Sequence, residues 1–433
     1  MKKILSIMLA VLMVVGLMAG CGSAPEADKP AEETPKATEG AAAEAEKPAE
    51  GVTIKMWTMW NAAEPQGIVL QAAADAFKEQ TGNTVEIEWK GREMNKIIMA
   101  ALEAGEKIDI FEEDYTRISN TYGDYVMDLS EMAEAANYAE QSYAGLNDQV
   151  RAWTGGKLTS IVEQPQVGGV FYNKDAFEAA GAKVPSTWDE FMAACEALKT
   201  AGYYPLALDA AYADFTFGYH LDRVIGEAAT IDLTLNGGWS ENEGAVKAAD
   251  QIIELVNAGY LADGAPDQHP ASQNKLGIPV DGKKAAMVVC AQYVIGEVDG
   301  AAVEPVNWGM FNYPTVDGGS ANAFAGANSL AIPANSQNAQ VAFDFMMFLT
   351  SGEFDQRMAN EAKQPPADPR NTAPAVLEGS VETLLATKTP LKWAMGLNDN
   401  SELLTNIKDV LVALYSGEYA TGADFCAAMD ALY

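Results

Sequence analysis

Residues 52–111 carry the sequence VTIKMWTMWNAAEPQGIVLQAAADAFKEQTGNTVEIEWKGREMNKIIMAALEAGEKIDIF. Short runs rich in β-forming residues alternate in it with longer runs that have apolar side chains at helical spacing. The pattern predicts strands at 52–57, 84–89 and 108–111, and helices at 68–80 and 93–102. Because strands that alternate with helices form parallel βαβ units, the segment predicts an α/β fold.

Ligands of open α/β sheets bind beyond the carboxyl ends of the strands. Trp60 and Asn61 follow the first predicted strand, and Glu113 and Asp114 follow the third. The acidic segment that contains these two carboxylates allows three interpretations: a solvated loop, a carboxylate that faces a ligand cleft, or a calcium site, although it lacks the spacing of an EF-hand. Trp57 alternates with its neighbours and is predicted to pack in the core or, alternatively, to contact the ligand.

The charge balance excludes several classes of protein. The chain has 433 residues, 61 Asp and Glu, 28 Lys and Arg, and two His, which gives a formal net charge of -33. This charge argues against binding to nucleic acid or to anionic lipid surfaces. No metal and no cofactor are expected, because two His residues and the absence of a CxxC pair leave no zinc motif. Cys195, Cys290 and Cys426 are predicted to be buried free thiols, with one disulfide as the alternative.

Motifs of catalysis are absent from the sequence. There is no P-loop, no G-x-G-x-x-G and no G-x-S-x-G, which argues against ATP binding by this chain and against a serine hydrolase. No sequence motif singles out two carboxylates as a glycosidase pair, and acidic pairs arise by chance among 61 acids.

The N-terminus has the pattern of an export signal. A basic start at residues 1–3 precedes an almost wholly apolar run from Ile4 to Gly20, which is typical of a signal peptide over residues 1–20. The residues before Cys21 resemble the lipobox of bacterial lipoproteins, although Met18 stands where Leu is usual. The resemblance implies a lipidated (palmitate-bearing) Cys21 that anchors the protein at the extracytoplasmic face of the cell membrane. An ordinary signal or an uncleaved membrane helix is the alternative.

Residues 21–50 follow this cysteine and consist mainly of Ala, Glu, Pro, Lys and Thr. Such a composition cannot bury enough apolar area to offset chain entropy, and it predicts a disordered tether between Cys21 and the folded part.

The central part of the chain carries a family pattern. Residues 172–175 (YNKD), 184–185 (VP), 187–191 (TWDEF) and 198–199 (LK) resemble the extracellular solute-binding proteins of ABC importers, in particular the maltose-binding-like, sugar-binding group known as family 1. The segments 282–287, 324–332 and 338–350 match the same family in order. The resemblance extends from about Thr53 to the C-terminus.

The resemblance implies a two-lobe, periplasmic-binding-protein-like fold of type II, with a hinge and a ligand cleft between the lobes. The implied N-lobe contains residues 52–163 and 305–350, and the implied C-lobe contains residues 164–304 and 351–433. Closure about the hinge would bury the ligand.

A sugar site needs flat aromatic rings for the C–H faces of the sugar and polar side chains for its hydroxyls. On this basis the resemblance adds Glu163 at the hinge, Tyr293, Asn328 and Trp393 to the four candidates already named. Tyr293 stands where the family usually has Trp. Trp188, Tyr172 and Asn173 are predicted to be structural, and Gln364 is a weaker candidate.

The implied function is the capture of a sugar or oligosaccharide and its delivery to the membrane permease subunits of an ABC importer, without enzymatic activity. The alternatives are a non-sugar solute, a cell-surface glycosidase and a lipoprotein unrelated to transport.

Overall fold

The computed structural model describes residues 51–397 and 402–433, except for the side chain of Trp393. The predicted signal peptide, Cys21 and the tether lie outside the described residues. The strands are β1 Thr53–Thr58, β2 Thr84–Trp89, β3 Ile110–Asp114, β4 Ile161–Asn173, β5 Tyr204–Ala207, β6 Ala285–Ala291, β7 Trp308–Phe311 and β8 Ala325–Ala331. The helices are α1 Pro65–Thr81, α2 Met94–Glu103, α3 Tyr115–Asn120, α4 Ser130–Ala135, α5 Ala144–Trp153, α6 Lys174–Ala180, α7 Trp188–Thr200, α8 Ala213–Ile225, α9 Glu227–Asn236, α10 Glu243–Asn257, α11 Val294–Ala301, α12 Ala339–Leu349, α13 Gly352–Ala362, α14 Ser380–Ala386, α15 Glu402–Tyr415 and α16 Gly422–Asp430.

The strands form a mixed sheet in the order β2-β1-β3-β8-β4-β6-β5, and β7 also pairs with β4. β1 is parallel to both β2 and β3, and β5 is parallel to β6. β8 is antiparallel to β3 on one side and to β4 on the other. The α/β class predicted from residues 52–111 is therefore confirmed.

The long strand β4 connects the two halves of the sheet. Its first half, residues 161–167, pairs with β8, and a bulge interrupts this register between Val162 and Gln164. Its second half pairs with β6 over residues 168–172 and with β7 over residues 170–173. Glu163, the residue predicted to lie at the hinge, is therefore part of a continuous strand. The lobe boundaries given above stay a prediction.

The predicted elements agree closely with the structure, with one correction. The third strand was predicted at 108–111, but β3 continues to Asp114 because Glu112, Glu113 and Asp114 pair with residues 328–330 of β8. The interpretation of this acidic segment as a solvated loop is therefore wrong. A capping box of Thr187 and Glu190 is present at the start of α7.

Apolar side chains form three buried clusters. One cluster joins α1, β1, β8 and α12, and includes Phe77 and Phe345. A second joins α7, α8, α10, α15 and α16, and a smaller one lies between β3, α2 and α3. Cys195, Cys290 and Cys426 are buried free thiols, as predicted. None of the helices within residues 51–397 and 402–433 is long and apolar enough to cross a membrane.

Candidate functional site

A cleft of about 690 Å³ opens where several strands end. Its wall contains Trp60, which follows β1, and Tyr293, which follows β6. Residues 164–166 of β4, Asn328 of β8 and residues 363–364 after α13 also line it. Amide side chains dominate its polar lining: Gln66, Gln164, Gln166, Gln292, Asn328 and Gln364. We call this cavity the first cleft.

Trp60 is held in a fixed orientation. Its indole Nε1 donates a hydrogen bond of 2.5 Å to Glu112 Oε1. The guanidinium carbon of Arg92 lies 4.2 Å from the centre of the indole ring, and Arg92 is itself held by Glu64. A ring fixed in this way loses little conformational entropy when a ligand packs on it.

Two carboxyl groups lie beneath Trp60. Glu112 is fully buried and accepts hydrogen bonds from Thr58 Oγ1 at 2.5 Å, from Trp60, and from Gln164 Nε2 at 3.3 Å. Burial raises the pKa of Glu112 to about 7, although the bonds from Thr58 and Trp60 favour its charged form. Burial, and then the neighbouring charge of Glu112, raise the pKa of Glu163 well above its usual range. Glu163 is thus a buried group beneath the cleft and does not line it.

Tyr293 is the second aromatic ring that lines the first cleft, and it is 41% exposed. Its ring centre lies 6.3 Å from that of Tyr212, which makes an edge contact with His269. The neighbouring Gln292 accepts a hydrogen bond of 2.9 Å from the backbone N–H of Val167 in β4. This bond fixes the end of β6, and Tyr293 next to it, against β4.

Asn328 lines the first cleft from β8. In β8 it is paired with Asp114 of β3 on one side and with Gln164 of β4 on the other. The side chain is half-buried. Because β8 is flanked on both sides, the position of Asn328 is determined by two strand registers.

A second cavity of about 500 Å³ adjoins the first cleft, and Gln166 lines both. Asp114 contributes to its wall, as do Tyr115 and Trp153, whose rings meet edge to face at 5.1 Å. Lys392 also lines this cavity; the side chain of Trp393, the next residue and a predicted ligand contact, lies outside what the structure describes.

The remaining predicted residues are occupied by local contacts. Glu113 is buried, and its Oε1 accepts a bond of 2.6 Å from Arg117. Asp114 caps α3 by accepting from the N–H groups of residues 116 and 117, and burial raises its pKa despite the nearby Arg117. Asn61 is exposed. Its carbonyl oxygen lies so close to Gly67 that a Cβ at position 67 would be only 2.1 Å away, and position 67 in the first turn of α1 therefore requires glycine. The structure therefore brings Trp60, Tyr293 and Asn328 together in the first cleft.

Comparison with known proteins identifies the family. The family model described as "Bacterial extracellular solute-binding protein" matches residues 62–353, which is more than half of the chain. The chain belongs to this family. A curated relative, the multiple sugar-binding protein of Streptococcus mutans, is 27% identical over 210 residues, which are 46% of this chain and 49% of the relative. The match thus spans about half the length of that relative.

Solved structures support the same fold. RafE from Streptococcus pneumoniae superposes on this solute-binding protein with a TM-score of 0.69 at 16% identity, over 89% of this chain and 99% of that one. A cyclo/maltodextrin-binding protein in complex with maltotetraose gives a TM-score of 0.64 at 17% identity, over 90% and 97% of the two chains. The predicted two-lobe fold of the maltose-binding type is confirmed.

The structure adds residues that the sequence did not assign to the site of this solute-binding protein. Glu112 of the acidic segment orients Trp60, and four glutamines line the first cleft: Gln66, Gln164, Gln166 and Gln292. For Glu112 in β3 and for Gln164 and Gln166 in β4 the sequence contains a signal, because residues two apart in a strand face the same side. The signal was not usable, since the end of β3 and the bulge in β4 were not visible in the sequence.

Proposed function

We propose that this solute-binding protein captures a sugar or oligosaccharide in the first cleft and delivers it to the membrane permease subunits of an ABC importer. The observation that carries the proposal is the pair of aromatic rings, Trp60 and Tyr293, in a cleft whose polar side chains are mainly amides. Family membership supports the role in solute capture. The names of the S. mutans relative and of the maltodextrin-binding structure support a carbohydrate ligand.

The chemistry of the cleft suits a saccharide. Aromatic rings pack against the C–H faces of a pyranose, and an amide both donates and accepts, as a hydroxyl does. A volume of about 690 Å³ lies within the range of small-molecule sites. The adjoining second cavity offers room for further sugar units on the other side of Gln166.

A role in binding is better supported than one in hydrolysis. A glycosidase places two carboxyl groups on either side of the bond that it cleaves. Two carboxylates, Asp299 and Glu361, do line the first cleft. Asp299 accepts a hydrogen bond of 3.0 Å from Trp308 Nε1, and Glu361 forms an ion pair with Arg357 on its own helix. The adjacent pair Glu112 and Glu163 is at most 2% exposed and does not line the cleft. The matched relatives carry the names of binding proteins. We therefore infer that the bound sugar leaves chemically unchanged.

We also propose that Cys21 carries a lipid and holds the protein at the extracytoplasmic face of the cell membrane. The proposal rests on the signal-like run before Cys21 and on the sequence of small residues next to it. A protein anchored in this way stays close to the permease that it serves. The membrane and the permease are thus its proposed partners, with no role for nucleic acid.

A thermal-shift screen of residues 51–433 tests the carbohydrate assignment. The panel contains mono- and oligosaccharides, with amino acids, peptides and polyamines as controls. A bound sugar at about 100 times its Kd adds about 2.7 kcal/mol and should raise Tm by a few degrees. Recovery of the unchanged sugar would separate binding from hydrolysis. A shift produced only by a control compound would contradict the carbohydrate assignment and leave the family unchanged.

A matched pair of variants places the sugar in the first cleft. Tyr293→Ala should lower the affinity for the sugar by about tenfold, because the loss of one aromatic contact costs on the order of 1 kcal/mol. Tyr433→Ala, which removes a comparably exposed ring outside the cleft, should leave the affinity unchanged. Equal affinity of the two variants would place the sugar elsewhere.

A further inference from the structure

The amide of Gln364 has an unusual environment. The side chain lines the first cleft and is only 7% exposed. Its Nε2 has no hydrogen-bond partner among the described residues. A buried donor without a protein partner loses its hydration and gains no protein bond in return, so an acceptor atom of a ligand in the cleft would remove this cost.

The backbone around Gln364 is firmly held. α13 ends at Ala362, and the following residue, Lys363, adopts a left-handed conformation with φ of 57°. The Gln364 N–H donates to the carbonyl of Ala359 at 3.2 Å. The loop that follows is pinned by Asp355 of α13. This carboxylate is 2% exposed and accepts bonds of 2.6 Å and 3.1 Å from the N–H groups of Ala367 and Asp368.

The side chain of Asn371 adds a third bond to Asp355, at 2.8 Å. The loop over residues 364–371 is therefore tied to α13 at three points. A free donor on a pinned loop is preorganised, because little further ordering is needed when a ligand arrives.

The other glutamines of the first cleft are used differently. Gln292 accepts from the Val167 N–H, and Gln164 donates its Nε2 to Glu112. Their donor or acceptor groups thus hold the walls together. Gln364 differs from both because its Nε2 donor makes no hydrogen bond to any described residue.

We propose that Gln364 is a specificity-determining residue that donates its Nε2 hydrogen to an acceptor oxygen of the bound saccharide, and that Asp355 is the positioning residue that presents it. The inference rests on the proposed capture of a sugar in the first cleft, and it adds which group recognises that sugar. A saccharide that lacks the matching oxygen is discriminated against, because it leaves this donor buried and unpaired.

The test compares the same substitution at two glutamines of one cleft. Gln364→Met keeps the length of the side chain and removes the donor. It should weaken saccharide binding about tenfold, while the Tm of the free protein stays equal or rises because an unpaired buried donor is removed. Gln292→Met should lower the Tm of the free protein, because it leaves the Val167 N–H without its partner.

Binding is measured by calorimetry on the purified full chain with maltotetraose, xylotriose, chitotriose and D-galactose as probes. Asp355→Asn should reduce the affinity for the same probe and lower Tm, since it replaces one of the two carboxylate oxygens that pin the loop. Unchanged affinity of Gln364→Met, or a fall in Tm like that of Gln292→Met, would overturn the role of Gln364 and leave the proposed function standing. If none of these saccharides binds to the wild type, the proposed carbohydrate function fails, and this inference fails with it.

Discussion

The buried carboxyl groups of Glu112 and Glu163 make the stability of the protein depend on pH. The pKa of Glu112 is raised from 4.5 to about 7 by burial, and that of Glu163 is raised as well. The folded protein therefore binds these protons more tightly than the unfolded chain does. Its free energy of unfolding should be highest below about pH 4.5 as far as these groups contribute, and should fall as the pH rises toward and past about 7.

Glu163→Gln tests this linkage. The amide is neutral at every pH and removes the like charge beside Glu112, so the variant should lose less stability than the wild type between about pH 5 and pH 8. Part of the dependence should remain, because burial also raises the pKa of Asp355 to about 7. Urea unfolding at the two pH values measures the difference. Glu79→Gln, an exposed substitution on α1, serves as the control. The same pH dependence in Glu163→Gln and in the wild type would contradict the prediction.

At the scale of residues, the sequence predicted the cleft in part. Trp60 was accessible to prediction because it follows a recognisable strand, whereas Tyr293 was predicted from the family resemblance. Glu163 was predicted as a ligand contact at the hinge, but the structure buries it, and this burial depends on the packing around β4, which no local pattern encodes. The same holds for Gln364, whose distinguishing feature is a missing partner in three dimensions.

Local signals were most informative for the secondary-structure elements. The strand predicted at 84–89 coincides with β2. Thr187 followed by Glu190 three residues later is the sequence pattern of a capping box, and the structure has that capping box at the start of α7. β3 was predicted too short, because its last three residues are acidic and acidic residues are rare in strands. Their pairing with β8, a strand that lies more than 200 residues later in the chain, overrides this propensity.

The capping box of α7 gives a prediction for this element. The Thr187 side chain accepts from the Glu190 N–H, and Glu190 Oε2 accepts from the Thr187 N–H. Thr187→Ala should lower the free energy of unfolding by about 1 kcal/mol, whereas Thr187→Ser should retain most of it. Denaturant unfolding distinguishes the two, and equal stability of the Ala variant and the wild type would show that the cap does not limit the stability of α7.

For the whole molecule, the proposed lipid at Cys21 has a direct test. Cys21→Ala should remain unprocessed or be released from the membrane, because the thiol that would carry the lipid is gone. Membrane fractionation and the intact mass of the mature protein measure the two effects. Cys195→Ala, at a buried thiol of the folded part, should leave both anchoring and processing unchanged. Normal membrane retention and unaltered processing of Cys21→Ala would refute the lipid anchor.

The continuity of β4 has a practical consequence for dissecting this protein. One uninterrupted strand supplies the partner of β8 at one end and the partners of β6 and β7 at the other. If the protein were expressed as two fragments divided within β4, each fragment would have a strand edge whose N–H and C=O groups lack partners. Such edges promote aggregation. Expression of the halves as separate fragments therefore requires both to carry residues 161–173.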